Sequence, residues 1–166
     1  ADTADTYRAA ADKGDARAQY KLARCYENGR AVNYGPNDGL ADNTVLSLHV
    51  DADDTVWVGT FGGGLSRVKH GRIVSVTTRD GLYDGAVFAI LEDSSGLLWM
   101  SCNKGIFNVR KADVEAFAER RITRVRSIGY GVADGLRGSE SNGGSSSSAC
   151  RTRDGRLWFA ALRGAA

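Results

Sequence analysis

The chain has 166 residues, enough for one domain with a substantial core, and its 42% hydrophobic and 25% charged residues are ordinary for a globular protein. Its formal net charge of +2 does not suggest nucleic-acid binding, which requires basic residues clustered on one face. No apolar run approaches the roughly 20 residues of a membrane-spanning helix, and 21 glycines against a single proline indicate many tight turns.

Residues 1–33 have a helical pattern. Small and apolar residues recur at helical spacing, and Gly14 interrupts them once, which predicts antiparallel helices over 4–12 and 15–28. Gly29 is expected to end the second helix. The stretch resembles a Sel-one-like repeat, a relative of the tetratricopeptide repeat, at Tyr7-Arg8, Ala10-Ala11, Gly14, Ala16, Ala18-Gln19-Tyr20, Leu22, Tyr26, Gly29 and Val32. One helix pair cannot bury its apolar face alone, so we expect it to pack on the rest of the chain or on a neighbour.

From Pro36 onward the sequence consists of strands and turns in three repeated units. Each unit begins with Asp-Gly-Leu, and a tryptophan follows the aspartate by 19, 19 and 24 residues. An alternating apolar strand, a polar turn, the tryptophan strand and a glycine turn with a third strand come in the same order. The predicted strands are 45–50, 56–60 and 72–77 in the first unit, with a glycine turn and a third strand together over 62–68; they are 87–91, 98–101 and 105–109 in the second unit and 157–160 in the third. Four short strands repeated in this way are typical of β-propeller blades.

The second unit carries an insertion over 111–120 that reads as a helical turn or two, with Val114 and Phe117 on one side. It falls between the third and fourth strands and accounts for the longer spacing. The predicted fold is therefore mainly β, a partial β-propeller of about three four-stranded blades preceded by a short α-helical hairpin. The predicted boundaries are 1–35 for the hairpin and 36–79, 80–132 and 133–166 for the blades, the last one incomplete.

The blade units resemble the two-component regulator propeller family. Asp93, Gly96 and Trp99 match its turn pattern in full, and Asp54 replaces the glycine in the first unit. The resemblance covers about 36–164 and implies the extracytoplasmic, periplasmic sensing part of hybrid histidine kinases, which bind carbohydrates or similar small molecules and usually dimerise. No signal-peptide pattern is present. Because propellers have about 4–8 blades, we expect this chain to supply part of a ring and to associate with itself or with further blades.

The few residues that could carry chemistry are predicted to have structural roles. His49 lies in a strand and His70 in a hairpin turn, and neither belongs to a recognisable nucleophile motif. Asp51, Asp53 and Asp54 lack the glycine and distal glutamate of a calcium loop, which favours a hairpin turn. No convergent set of titratable groups is recognisable in the sequence.

Other motifs are assigned in the same way. The glycines at 62–64 are not followed by the Lys-Ser/Thr of a phosphate loop and indicate a tight turn. The tryptophans could stack on a sugar, but their repeated position predicts blade core. A basic cluster after the insertion is expected to be a solvated face, and the cysteines are too far apart for a zinc pair, which leaves incidental thiols or one disulfide. The tryptophans are Trp57, Trp99 and Trp158, the basic cluster is Arg120, Arg121, Arg124 and Arg126, and the cysteines are Cys25, Cys102 and Cys150.

Loops carry recognition in propellers because the blades are rigid supports. The candidate ligand-binding residues are therefore Asn103, Lys104, Arg137, Glu140 and Asn142. The predicted function is a non-catalytic sensor that binds a small polar ligand or glycan, with no metal, cofactor or nucleic-acid partner. A protein-interaction scaffold is the alternative, and a propeller-type lyase or hydrolase is a third possibility.

Overall fold

The computed structural model describes residues 34–138, 141, 148–161 and 164–165. The helical hairpin expected over 1–35, with its Sel-one-like repeat, lies outside the described residues apart from the last two positions. No helix within the described ranges is long and apolar enough to cross a membrane. The described part of the chain forms three antiparallel sheets in series.

The first unit folds into a four-stranded sheet whose strands follow in chain order. Its valines and isoleucine favour extended backbone, and they alternate with polar residues so that both faces are defined. Trp57 pairs with His49 on one side and with Arg67 on the other. The third strand begins directly after the glycines at 62–64, which form the predicted turn before it. The strands are β1 (Val45–Val50), β2 (Val56–Thr60), β3 (Leu65–Lys69) and β4 (Arg72–Val76).

The second unit repeats this sheet and carries the predicted helix between its last two strands. The first strand starts two residues later than predicted, because the amides of Val87 and Phe88 donate instead to the carbonyls of Thr60 and Ser101, each at 2.9 Å. The elements are β5 (Ala89–Glu92), β6 (Leu97–Cys102), β7 (Gly105–Arg110), α1 (Lys111–Ala118) and β8 (Ser127–Tyr130).

The third sheet has three described strands, in the order β9-β10-β11. The tryptophan strand is central, as in the first two sheets, and Trp158 pairs with Cys150 on the neighbouring strand. The strands are β9 (Ala149–Arg151), β10 (Leu157–Ala161) and β11 (Gly164–Ala165). The partial propeller predicted from the sequence is therefore confirmed.

Each Asp-Gly-Leu triplet closes the chain into a short 3-10 turn before the next sheet. The aspartate carboxylate accepts a hydrogen bond from the backbone amide three residues earlier, at 2.8–2.9 Å in all three units. The glycine has a positive φ of 100–110°, which a residue with a side chain rarely adopts. The leucine then turns inward, and Leu40 and Leu82 are buried. The Asp-Gly-Leu triplet thus forms a turn that is closed by its own aspartate, and its leucine packs in the core where it is buried.

A second repeated device ties the polar turn to the tryptophan. The Asp93 carboxylate accepts backbone hydrogen bonds from Ser95 and Leu97, and its other oxygen accepts from Trp99 Nε1 at 2.7 Å. Burial raises the pKa of Asp93, but the bonds from Ser95, Trp99 and the backbone outweigh it and lower the pKa to about 2. Asp51 holds Trp57 Nε1 in the same way at 2.9 Å. The loop Asp51–Asp54 is therefore the hairpin turn that was predicted.

Neighbouring sheets stack through alternate residues of their second strands. Trp57 shares one core cluster with Met100 and Phe107 of the second sheet, and Trp99 shares another with Phe159 of the third. Trp57 is fully buried, and replacing such a tryptophan by alanine costs about 3–5 kcal/mol. Trp99 and Met100 are adjacent on β6 and therefore point to opposite faces of the second sheet, so Met100 packs toward the first sheet and Trp99 toward the third.

Trp158 departs from the prediction that all three indoles lie in blade core. Its neighbour Phe159 faces the second sheet, so Trp158 faces the opposite flank, where its side chain is 41% exposed. Thr152 stands where Asp51 and Asp93 hold the indole in the other units. Burying this indole needs a further sheet on that flank, and the described residues do not supply one.

The inserted helix α1 connects the second sheet to the first. Arg67 on β3 makes a two-pronged ion pair with Glu115, with Nε–Oε1 and Nη2–Oε2 distances of 2.7 and 2.6 Å. Arg72 on β4 donates from Nη2 to the carbonyl of Ala118 at 2.9 Å. Val114 is fully buried in the cluster between the two sheets. The inserted helix therefore links the first and second blades through an ion pair, a hydrogen bond and apolar packing.

Candidate functional site

The exposed loops at one end of the sheets form the best candidate for a recognition surface. In sheets built in chain order, the hairpin between the second and third strands lies at the same end as the connection to the next sheet. The amide of Gly64 in the β2–β3 hairpin donates to the carbonyl of Gly85 at 2.9 Å, which joins the hairpin to the segment after the second Asp-Gly-Leu. We call this surface the loop face, formed by Phe61, Tyr83, Asp84, Asn103 and Lys104.

Tyr83 is the aromatic centre of the loop face. Its ring lies directly over the backbone of Gly129 in β8, where a Cβ atom would come within 2.1 Å of the ring. The ring centroid is 5.6 Å from that of Phe107, and the side chain remains 37% exposed. The absence of a side chain at Gly129 therefore leaves room for a ring that is supported on one side and open to solvent on the other.

A charged pair flanks this ring. Lys104 Nζ lies 3.2 Å from Asp84 Oδ2 and 5.8 Å from the centroid of the Tyr83 ring. The hydrogen bond to Asp84 and its negative charge raise the pKa of Lys104, so the ammonium stays charged at neutral pH. Asp84 also accepts a bond from the amide of Ala86 at 2.9 Å, which fixes its carboxylate. The ring, the ammonium and the carboxylate thus lie together at one place on the loop face.

The structure places the candidates from the sequence at or near this surface where it describes them. Asn103 and Lys104 are exposed at the tip of the β6–β7 hairpin, and Arg137 is exposed in the segment after the third Asp-Gly-Leu. That segment reaches the hairpin, since the amide of Ser141 donates to the carbonyl of Cys102 at 3.4 Å. The other two candidates, Glu140 and Asn142, lie outside the described residues.

Sequence reasoning missed Tyr83, Asp84 and Phe61. A signal for Tyr83 was present, because it directly follows Asp-Gly-Leu in the second unit, as Arg137 does in the third. Phe61 likewise occupies the position of Asn103, four residues after the tryptophan of its unit. Aligning the units by position would have placed Tyr83 with Arg137 and Phe61 with Asn103 on one surface.

A second group of titratable residues, not recognisable as a set in the sequence, meets at the opposite end of the sheets. Lys111 Nζ lies 2.7 Å from Asp51 Oδ2 and 3.1 Å from Glu92 Oε1. Glu92 Oε2 is 3.5 Å from His49 Nε2. Burial opposes the charge of Lys111, but its bonds to Asp51 and Glu92 raise its pKa. The Asp51 side chain is fully buried and Lys111 only a quarter exposed, which indicates a structural ion network rather than a ligand site.

The remaining motifs have structural roles in the described part of the chain. The glycines at 62–64 form a hairpin turn, as predicted, and no group of three or more His, Cys, Asp or Glu residues there could hold a metal ion. Cys102 is a buried free thiol whose pKa burial raises to about 11, and Cys150 is an exposed free thiol. The raised pKa of Cys102 opposes formation of the reactive thiolate, and neither of these two thiols is paired in a disulfide.

Three antiparallel sheets that stack in series through their second strands are consecutive blades of a β-propeller. Residues 39–62, from the first Asp-Gly-Leu through β2, match the family model described as two component regulator propeller. The resemblance to this family is confirmed for that repeat. The resemblance of residues 1–33 to a Sel-one-like repeat stays a prediction.

Solved structures show the same architecture. The extracellular domain of the proposed hybrid two component system BT4673 from B. thetaiotaomicron has a TM-score of 0.61 at 22% identity, over 80% of this chain and 18% of that one. A second structure of a BT4673 extracellular domain, described there as a one component system, has a TM-score of 0.55 at 20% identity, over 72% and 16%. At these identities the likeness establishes the fold, and the chain spans less than a fifth of those relatives. No curated protein sequence matches the chain.

Proposed function

We propose that this chain is part of an extracytoplasmic, non-catalytic sensor propeller whose loop face binds a small polar ligand such as a carbohydrate. The match to a two-component regulator propeller repeat supports a signalling role, and the likeness to extracellular domains supports the location. The observation that carries the proposal is the partly exposed Tyr83 ring with the Lys104 ammonium over it, paired with Asp84.

The loop face offers the groups that sugar recognition needs. The apolar face of a pyranose can pack on the exposed side of the Tyr83 ring, which is already held by Gly129 and Phe107. The Asp84 carboxylate accepts hydrogen bonds from hydroxyl groups, and Lys104 and Asn103 donate to them. Because the Tyr83 ring and the Asp84 carboxylate are held before the ligand arrives, less conformational entropy is lost on binding.

The same geometry favours binding over turnover. A lysine acts as a general base only as the deprotonated amine, and the raised pKa of Lys104 opposes this form near neutral pH. Asp84 is neutralised by Lys104 at 3.2 Å and fixed by the amide of Ala86. The described residues of the loop face provide no nucleophile activated by a neighbouring base.

Calorimetric titration of the full chain with a panel of mono- and oligosaccharides tests the proposal. For a sugar that binds, Lys104→Ala should weaken the affinity about tenfold, as expected for loss of a charged hydrogen bond. Lys69→Ala is the matched control, since Lys69 pairs with Asp53 at the other end of the sheets and its loss should leave binding unchanged.

Two results would count against the proposal. Equal effects of both lysine variants would place the ligand away from the loop face, and no heat with any sugar would remove carbohydrates as its ligands. NMR spectra of the bound sugar recorded over a day should show no new species, whereas product signals would establish an enzyme instead.

A further inference from the structure

A cleft that shares no residue with the loop face lies at the outer edge of the first sheet. It has a volume of about 630 Å³ and runs between β4 and the segment after α1. Ile73, Phe117 and Ile122 give it apolar walls, and Phe117 packs against the main core cluster. The cleft therefore has room and apolar surface for a small organic molecule.

Two arginines supply its charge. The Arg72 guanidinium is fixed in the cleft wall by its bond to the carbonyl of Ala118 at 2.9 Å, which uses one of its five N–H donors. Arg120 lines the opposite wall. None of the described residues that line the cleft is acidic. The acidic neighbours Glu115 and Glu119 are already paired with other arginines, so the cleft keeps a positive charge.

The backbone turn after α1 places Arg120 at the cleft. Helix α1 ends in a turn in which the amide of Arg121 donates to the carbonyl of Ala116 and that of Arg120 to the carbonyl of Phe117. Arg120 is the left-handed residue of this turn, with a φ of 60°, a position where glycine is strongly favoured. The turn itself therefore does not require an arginine at this position.

We propose that this cleft binds a small organic anion that carries a phosphate, sulfate or carboxylate group on an apolar body. The anionic group lies between Arg72 and Arg120, and the apolar body packs on Ile73 and Phe117. Arginine suits this role because its planar fork donates two parallel bonds to such groups. The hydroxyl of Thr123 at the rim offers one more donor.

NMR titration of the ¹⁵N-labelled full chain with phenyl phosphate, phenyl sulfate and benzoate tests this assignment. At least one of the three should give saturable shifts of the Ile73 and Thr123 amides. Inorganic phosphate and benzyl alcohol each supply only half of the proposed contacts and should bind about tenfold more weakly. Failure of all three aryl anions to saturate would overturn the proposal.

Substitutions at two arginines separate a built site from general surface charge. Arg120→Gly should weaken aryl-anion binding about tenfold and at the same time raise the melting temperature, because glycine relieves the left-handed backbone. Arg124→Ala removes the same charge from an exposed residue that does not line the cleft, and it should change the affinity less than about twofold. Equal loss in both variants, or a lower melting temperature in Arg120→Gly, would contradict the assignment.

Discussion

Replacing Lys111 by methionine removes the ammonium group that contacts the buried Asp51 carboxylate while keeping most of the apolar stem. Asp51 is fully buried and holds Trp57, whereas Lys111 begins helix α1 of the second unit. The pair therefore joins two blades, and its Asp51 carboxylate is inaccessible to water. We expect Lys111→Met to destabilise the fold strongly for a single substitution at a partly exposed lysine.

The magnitude follows from burial. Removing one partner of a fully buried ion pair costs about 3–5 kcal/mol, because the remaining charge is left without compensation. Lys111 is 25% exposed, and Asp51 keeps bonds from Trp57 Nε1 at 2.9 Å and from the Thr55 amide at 3.0 Å. The partial exposure of Lys111 and the bonds that Asp51 keeps reduce the expected loss of unfolding free energy to about 2–3 kcal/mol.

Urea unfolding followed by tryptophan fluorescence measures this loss. Lys69→Met is the matched control, because the Asp53 carboxylate it pairs with is half exposed and such a pair contributes less than about 1 kcal/mol. If Lys111→Met costs no more than Lys69→Met, the proposed coupling of the blades through a buried charge is refuted.

Three further outcomes follow from the turns and thiols. Asp93→Asn should cost about 2 kcal/mol at pH 6, and in urea unfolding the difference should vanish as the pH falls from about 4 to 2, since the folded pKa of Asp93 is about 2 against 3.8 for the free group. Gly81→Ala should cost at least about 3 kcal/mol by the same assay, because its Cβ would lie 2.2 Å from a carbonyl oxygen, whereas Gly135→Ala has open space and should cost about 1 kcal/mol. Iodoacetamide should modify Cys150 and spare Cys102 in the native chain, as peptide mass mapping would show.

The parts of the fold that the sequence predicted are those set by contacts between near neighbours. The bond from Trp99 to Asp93 spans six residues, and the cap of each Asp-Gly-Leu turn spans three, so both are visible as motifs. Trp158 was misassigned because the burial of an indole depends on the next sheet and not on its own repeat.

The sites depend on contacts between residues far apart in the sequence. Lys111 meets Asp51 across 60 positions, and no local pattern marks this pair. Asn103 and Lys104 could be predicted because hairpin tips carry recognition in propellers, but the supporting contact of Tyr83 with Gly129 joins residues 46 positions apart, which no local pattern marks.

The central claim is that the sheets stack in series as propeller blades. A nuclear Overhauser spectrum of the labelled chain tests it, because contacts between the first and second units bring protons close together. The Gly59 Hα protons in β2 should show strong cross-peaks to a Val87 methyl group, and the side-chain protons of Arg67 on β3 should show cross-peaks to those of Glu115 on α1. Intact cross-strand signals within each sheet without these contacts between units would mean that the blades form but do not stack as described.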